Sequence, residues 1–375
     1  MKKIFFYFQQ AGGAQALMPL IRSLQTFCDV RIIGRKSIHQ ALSRIGITLE
    51  TFDDLGWDGG QTPVPPPGFS NFHPDLIITD TIDFTRAEDG ISGRYIWQWA
   101  KMLSIPSIAY VDCWWGYENR FRLPGEDGFQ LIPDTIATID DLARNDLIAA
   151  GFNPGKIVTL GSPWFDELNQ LGKTLTDTTA LRCELGIPSD RFVLLFVSQP
   201  LEKTFGSEQL YGFTERTTLC ALLNSLNRLD EAVRSTLTLI ILLHPEEDDT
   251  IPASVVSTFG KGIHTFIRKN DPHKMVLASD LVTGMFSILL AEAVILKRPV
   301  ISIQLNLKRE EILITNRISA TLSVNSEVDL SHQITEAIHS AEYRDARLRQ
   351  QDSFETTPEA IMKWKHYIEK ILEET

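Results

Sequence analysis

The sequence predicts an α/β protein built as two doubly wound units in tandem, each a mainly parallel sheet covered by helices. Three observations carry this. Short strand-like runs alternate with helix-length amphipathic segments almost from end to end. The runs are continuously apolar rather than alternating, as in strands buried on both faces. The same series then starts again in the second half.

In the first series, strands are expected at 3–8 (KIFFYF), 29–34 (DVRIIG), 75–80 (DLIITD), 107–112 (SIAYVD), 135–140 (TIATID) and 156–161 (KIVTLG). Helices at 14–27, 37–46 and 92–104 lie between them. Gly161 and Pro163 then break the chain, and a polar stretch to residue 174 follows, so the boundary is placed there. In the second series, strands are expected at 191–198, 236–244, 262–268, 279–284 and 299–304. Helices at 207–228, 271–279, 286–297 and 330–344 are interleaved, and an amphipathic helix at 358–374 closes the chain after a polar spacer. The expected division is 1–163, 164–350 and a terminal helical segment, 351–375. The Pro-rich stretch 61–74 is too rigid for helix or central strand, and reads as a plain loop or a flap.

A chain of 375 residues can bury two ordinary cores without metals or disulfides. Its 43% hydrophobic and 22% charged residues exclude a disordered or fibrous chain. Thirty-six Lys and Arg against forty-eight Asp and Glu give a net charge of −12, a poor balance for holding nucleic acid. A local cationic pocket for a small phosphate ligand is still compatible with it. The four cysteines, Cys28, Cys113, Cys183 and Cys220, are scattered, which argues against a zinc site or a disulfide framework. Cys28 and Cys220 read as buried thiols. Two lysines precede an apolar run at 4–8, but that run is too short for a signal peptide. No stretch approaches a membrane span. A cytoplasmic protein is expected.

In open α/β sheets ligands bind beyond the carboxyl ends of the strands, so function is sought there. After the first strand, Gly12 and Gly13 either make a tight turn or let the next helix present its amides to an anion or a sugar. Asp80 and Thr81 follow the third strand; Asp80 is a candidate base or hydroxyl ligand, or a turn cap. Asp112 ends the fourth, and Trp114, Trp115, Tyr117, Glu118, Asn119 and Arg120 follow within eight residues. Aromatic faces with a carboxylate and a guanidinium suit a sugar or a nucleobase, and also suit a packing cluster.

In the second half His244 follows a buried strand, where it would bond a phosphate or act as acid or base. Glu246 and Glu247 read as solvated. Arg268 ends another strand, as a phosphate ligand or a surface residue. The most specific segment is 278–304, where Gly284, Met285, Phe286 and Ser287 lead into a helix carrying Glu292. Free amides at 286–288 and the Ser287 hydroxyl would cradle a pyrophosphate on the helix dipole. Glu292, deeper in that helix, would accept from a ribose diol or cap a neighbouring loop.

This segment resembles the nucleotide-sugar-binding segment of GT-B fold enzymes, and the chain is most similar to their UDP-N-acetylglucosamine 2-epimerase branch and its glycosyltransferase relatives. The passage DLARNDLIAAGFNPGKIVTLGSPWFDEL (141–168) is similar to that family's helix and hinge. The resemblance implies two facing Rossmann-like domains, acceptor domain first and nucleotide-sugar domain second, with the last helix packing back on the first. It implies an active-site role for Asp80 in PDLIITDT, an acidic role for Asp112 and, loosely, for Glu118 in YENR. His244 in LHP matches the histidine of an HP motif, and Glu292 in AEA the ribose-binding glutamate. The departures are definite. The Arg-Pro-Glu after the first strand is replaced by Gln10-Ala11-Gly12-Gly13, and a His-Arg pair by Ser198-Gln199-Pro200. The Ser-Gly-Gly turn is replaced by Gly284-Met285-Phe286-Ser287.

The function expected is a metal-independent glycosyltransferase with a nucleotide-diphosphate sugar donor and a hydroxyl acceptor, in polysaccharide or glycoconjugate synthesis. No further cofactor is expected, and a homodimer is compatible with the sequence. Ser198, His244, Arg268 and the 284–287 turn would hold the donor; Asp112, Asp80 or Glu118 would take the acceptor proton. No D-x-D motif lies in a suitable loop, so helix dipole and donors would offset the leaving diphosphate. The alternatives are a 2-epimerase, epimerising or hydrolysing, and a non-catalytic sugar-nucleotide binder.

Overall fold

The computed structural model describes residues 1–35, 38–39, 49–60, 62, 64–84, 92–123 and 125–374. The chain divides into two compact units, Met1–Glu167 with Thr356–Thr375, and Leu168–Glu355. The sequence reading cut it a few residues earlier, at 163/164 and 350/351. The reason is that Pro163 starts a helix, Pro163–Thr174, instead of ending order. Proline suits the first helical position, where its missing N–H has no partner to lose.

The first unit holds six parallel strands: β1 (Lys3–Phe8), β2 (Asp29–Gly34), β3 (Leu76–Thr79), β4 (Ser107–Val111), β5 (Thr135–Thr138) and β6 (Ile157–Thr159). Their order is β2-β1-β3-β4-β5-β6. The chain runs outward from β1 to β2 and returns to β3 on the other side, so the topological switch lies between β1 and β3. The apolar run of β1 serves both faces. Ile4, Phe6 and Phe8 pack in one core with Leu17, Ile21 and the last helix, while Phe5 and Tyr7 pack in another with Trp57, Phe69 and Trp99.

The helix after β1 spans Ala11–Leu24, three residues earlier than expected, so Gly12 and Gly13 lie in its first turn. The Pro-rich stretch contains a short helix, Pro67–Phe72, again with proline at its start. Its Phe69 is fully buried between Phe5 and Trp99, so this part is a packed element and not a flap. The helix expected at 37–46 falls mostly outside the described residues. The closing helix, Ala360–Glu374, buries Ala360, Trp364, Ile368 and Leu372, one residue per turn. Trp364 Nε1 donates to the Gly161 carbonyl at 3.1 Å, and the Tyr367 and Thr135 hydroxyls pair at 3.0 Å. Gly161 sits at φ +83°, where an added Cβ would lie 2.8 Å from Ala360 and 2.9 Å from Thr357.

The second unit also has six parallel strands: β7 (Phe192–Val197), β8 (Leu237–Leu242), β9 (His264–Arg268), β10 (Leu281–Gly284), β11 (Val300–Ile303) and β12 (Leu322–Val324). They are ordered β12-β11-β10-β7-β8-β9, which puts the switch between β7 and β10. The three-residue β12 escaped the sequence reading. The helix expected at 207–228 starts only at Glu215, after a shorter helix at Leu201–Phe205, because Thr214 caps it with a capping box. The helix expected at 330–344 is two helices, Glu327–His339 and Ala341–Gln351, separated at Ser340. Among the described residues no helix is long and apolar enough to cross a membrane.

Candidate functional site

At the β1/β3 switch, Asp80 follows β3 and is fully buried. Its Oδ1 accepts from Gln9 N at 2.9 Å and its Oδ2 from Gln10 N at 2.8 Å. The carboxyl group thus ties the turn after β1 to the end of β3. Burial pushes it up to about 8, against the lowering pull of these N–H donors. Gly13 is pressed onto it, since an added Cβ would lie 2.5 Å from the Asp80 Cβ.

Asp112, at the end of β4, is placed differently. A Cβ on Gly12 would lie 3.5 Å from its Oδ2, so the carboxylate faces the start of the 11–24 helix. Arg120 Nη1 lies 3.6 Å from Asp112 Oδ1, beyond hydrogen-bond reach. That buried oxygen has no hydrogen-bond partner among the described residues. Burial raises the Asp112 carboxyl, with Arg120 acting in the opposite sense. Arg120 is itself buried, and its Nη1 donates to the Thr81 carbonyl at 2.9 Å and hydroxyl at 3.0 Å. Asp80, Thr81, Arg120, Asp112 and Gly12 therefore form one connected group.

Much of the aromatic run is packing. Trp114 is buried, donates to Asp140 Oδ2 at 2.6 Å and stacks with Phe165. Trp115 lies under the Arg120 guanidinium, and the Tyr117 hydroxyl donates to Asp146 at 3.3 Å. Glu118 is exposed and pairs with Arg122 one turn on, so the fold does not bring it to Asp112.

In the second unit the residues expected to bind a ligand lie at the ends of β7, β8 and β10. Gly284 allows β10 to approach β7, because a Cβ there would lie 2.9 Å from the Val197 carbonyl. Met285 is fully buried core, so only its backbone borders the turn. The amide of Phe286, expected to be free for a pyrophosphate, donates to Gln199 Oε1 at 3.1 Å. Ser287 caps the helix Ile288–Ile295, its Oγ accepting from Leu289 N at 3.3 Å.

Glu247, read as solvated, is buried and joins two strand ends. It accepts from Ser198 Oγ at 2.6 Å and from His244 N at 3.1 Å, and burial raises its carboxyl. His244 is half-buried, and burial lowers its imidazole. Its Nδ1 accepts from Glu246 N at 3.2 Å, so the neutral ring carries its proton on Nε2 as a donor. Arg268 ends the edge strand β9, two strands from the switch, with its guanidinium over Phe266.

Glu292 is buried and its Oε2 bonds His273 Nε2 at 2.8 Å. Sequence reasoning missed that His273, Gln199 and Glu247 bond the candidate residues Glu292, Phe286 and Ser198, because each partner is distant in sequence. Cys28 and Cys113 are buried, Cys220 only partly, and Cys183 is exposed. Among the described residues no three His, Cys, Asp or Glu side chains converge as a metal site.

These two six-stranded parallel sheets with their covering helices are of the GT-B type. No protein-family model matches the chain, and no curated protein matches it significantly. Solved structures do. The UDP-GlcNAc 2-epimerase from Neisseria meningitidis bound to UDP-GlcNAc superposes with TM-score 0.67 at 14% identity, over 100% of both chains. S. aureus MnaA with UDP gives 0.65 at 14% identity, over 94% of this chain and 91% of the other. Anabaena Alr3699/HepE in complex with UDP and glucose gives 0.60 at 14%, over 100% of both.

Proposed function

We propose that this chain is an enzyme acting on a UDP-sugar in the manner of a 2-epimerase, epimerising or hydrolysing, with Asp112 as its proton-transferring group. The observation that carries it is the buried Asp112 oxygen without a hydrogen-bond partner among the described residues, beside Gly12 and within 3.6 Å of Arg120. A carboxyl raised by burial but still facing a cation is suited to taking and returning a proton. Support also comes from the likeness to structures that hold UDP or UDP-GlcNAc. Within this reading the second unit carries the nucleotide. His244 donates through Nε2 to a phosphate oxygen, Ser287 lies at the helix start, and Glu292 takes the ribose. Asp80, whose oxygens already serve backbone amides, holds the turn rather than the substrate.

The test is to incubate the protein with UDP-GlcNAc alone and follow the sugar C2 proton and UDP release by NMR. Conversion without an acceptor is expected, and Asp112→Asn should lower kcat about 100-fold or more while UDP binding persists. Because Asp112 must be ionised to act as a base, activity should fall as pH drops through its raised pKa. A glycosyltransferase is the second reading, favoured by the turn Gln10–Gly13, which brings no cation of its own to Asp112 beside Arg120. It predicts no reaction until a hydroxyl acceptor is added.

A further inference from the structure

Glu292 lies in the helix Ile288–Ile295, whose other buried residues are Leu289, Leu290, Ala291, Ala293, Val294 and Ile295. A polar side chain in that setting is costly unless something hydrogen-bonds and directs it. His273 does so at 2.8 Å, from the first turn of the neighbouring helix Pro272–Ala278. The backbone of His273 is itself fixed, because Asp271 caps that helix and accepts from His273 N at 3.0 Å and Lys274 N at 3.2 Å. The Asp271 carboxylate also lies 3.9 Å from His273 Nδ1, so the imidazole is flanked by two acids. Burial alone would depress His273, but Glu292 outweighs it and raises the imidazole above its ordinary value. The Glu292 side chain keeps 10% of its surface exposed, so it is not sealed from a ligand.

We infer that His273 is a positioning residue that orients the Glu292 carboxylate toward the vicinal diol of a nucleotide ribose. This rests on the nucleotide reading above. A purely structural ion pair would add stability without caring about a 2′-hydroxyl, and such buried pairs are commonly replaceable by apolar ones. A directed carboxylate instead reads that hydroxyl.

The test is calorimetric titration of the full chain with UDP and with 2′-deoxy-UDP. The wild type should prefer UDP by about tenfold, the worth of one hydrogen bond to a charged group. His273→Leu should bring the preference close to one while leaving 2′-deoxy-UDP binding unchanged. His273→Asn, polar but with its donor drawn back, should do the same and serves if the leucine variant does not fold. His273→Gln keeps a donor at similar reach and should retain most of the preference. A folded His273→Leu or His273→Asn protein with undiminished preference overturns the inference while the nucleotide reading stands. A wild type that binds neither ligand, or both equally, overturns the inference together with the ribose role of Glu292.

Discussion

Asp80 is held by backbone N–H groups from Gln9 and Gln10, yet it lies where ionisation is disfavoured and its carboxyl titrates at about 8. In the unfolded chain the same group titrates at about 3.9. Between those values the folded state binds the extra proton, so stability is fully present below about pH 4 and is lost as pH rises through 8. The slope reaches about 1.4 kcal/mol per pH unit where only the unfolded group is ionised. Asp80→Asn removes this titration, but turns an NH₂ toward one backbone donor and should cost about 1–3 kcal/mol at pH 5. Urea unfolding from pH 5 to 8 should show the variant's deficit shrinking as pH rises and reversing before pH 8, because the wild type loses about 4 kcal/mol across that range. A deficit constant across that range would mean Asp80 is ionised in the fold throughout.

The turn from β1 into the 11–24 helix poses the same question for an element, because its two adjacent glycines face different acids. Gly13 is closed by Asp80, so Gly13→Ala must displace β3 or the helix and should cost about 1–3 kcal/mol. Gly12→Ala meets Asp112 at ordinary contact distance and gains helix propensity, so stability should hold or rise by up to about 1 kcal/mol. Denaturant midpoints of the two variants check this, and equal losses would contradict the packing described. Elements like β1 and β7 were legible in the sequence because strands covered on both faces must be apolar throughout. Helix starts at Pro163 and Pro67 were not, because proline breaks and proline openings look alike without the fold. The helix start near Ser287 and the acid Glu292 were legible from a local pattern, whereas Ser287 was read as a phosphate ligand and caps its own helix. Gln199 on the Phe286 amide, Glu247 on Ser198 and His273 on Glu292 were not, because those contacts join residues far apart in sequence. The missing arginines could be read directly, but not that Gln199 covers the amide expected to meet a phosphate.

For the whole molecule, the first unit is discontinuous in sequence and the second is not. Trp364, Ile368 and Leu372 come from the far end of the chain, yet they lie in the same core as Phe6, Leu17 and Tyr110. Trp364 meets Tyr110 edge-on at 5.6 Å and reaches the Gly161 carbonyl. Removing so large a buried side chain costs about 3–5 kcal/mol. That is a large share of the 5–15 kcal/mol typical of a folded domain. All seven tryptophans lie in the first unit, so tryptophan fluorescence reports its unfolding alone, whereas far-UV circular dichroism reports both units. Trp364→Ala should therefore shift the fluorescence transition to lower urea and leave part of the dichroism transition where it was. The segment 168–355, which contains its own sheet and core, should unfold cooperatively when expressed by itself. If fluorescence and dichroism shift together in Trp364→Ala, and 168–355 does not fold, then the second unit depends on the first. The terminal helix would then stabilise the entire chain rather than one core.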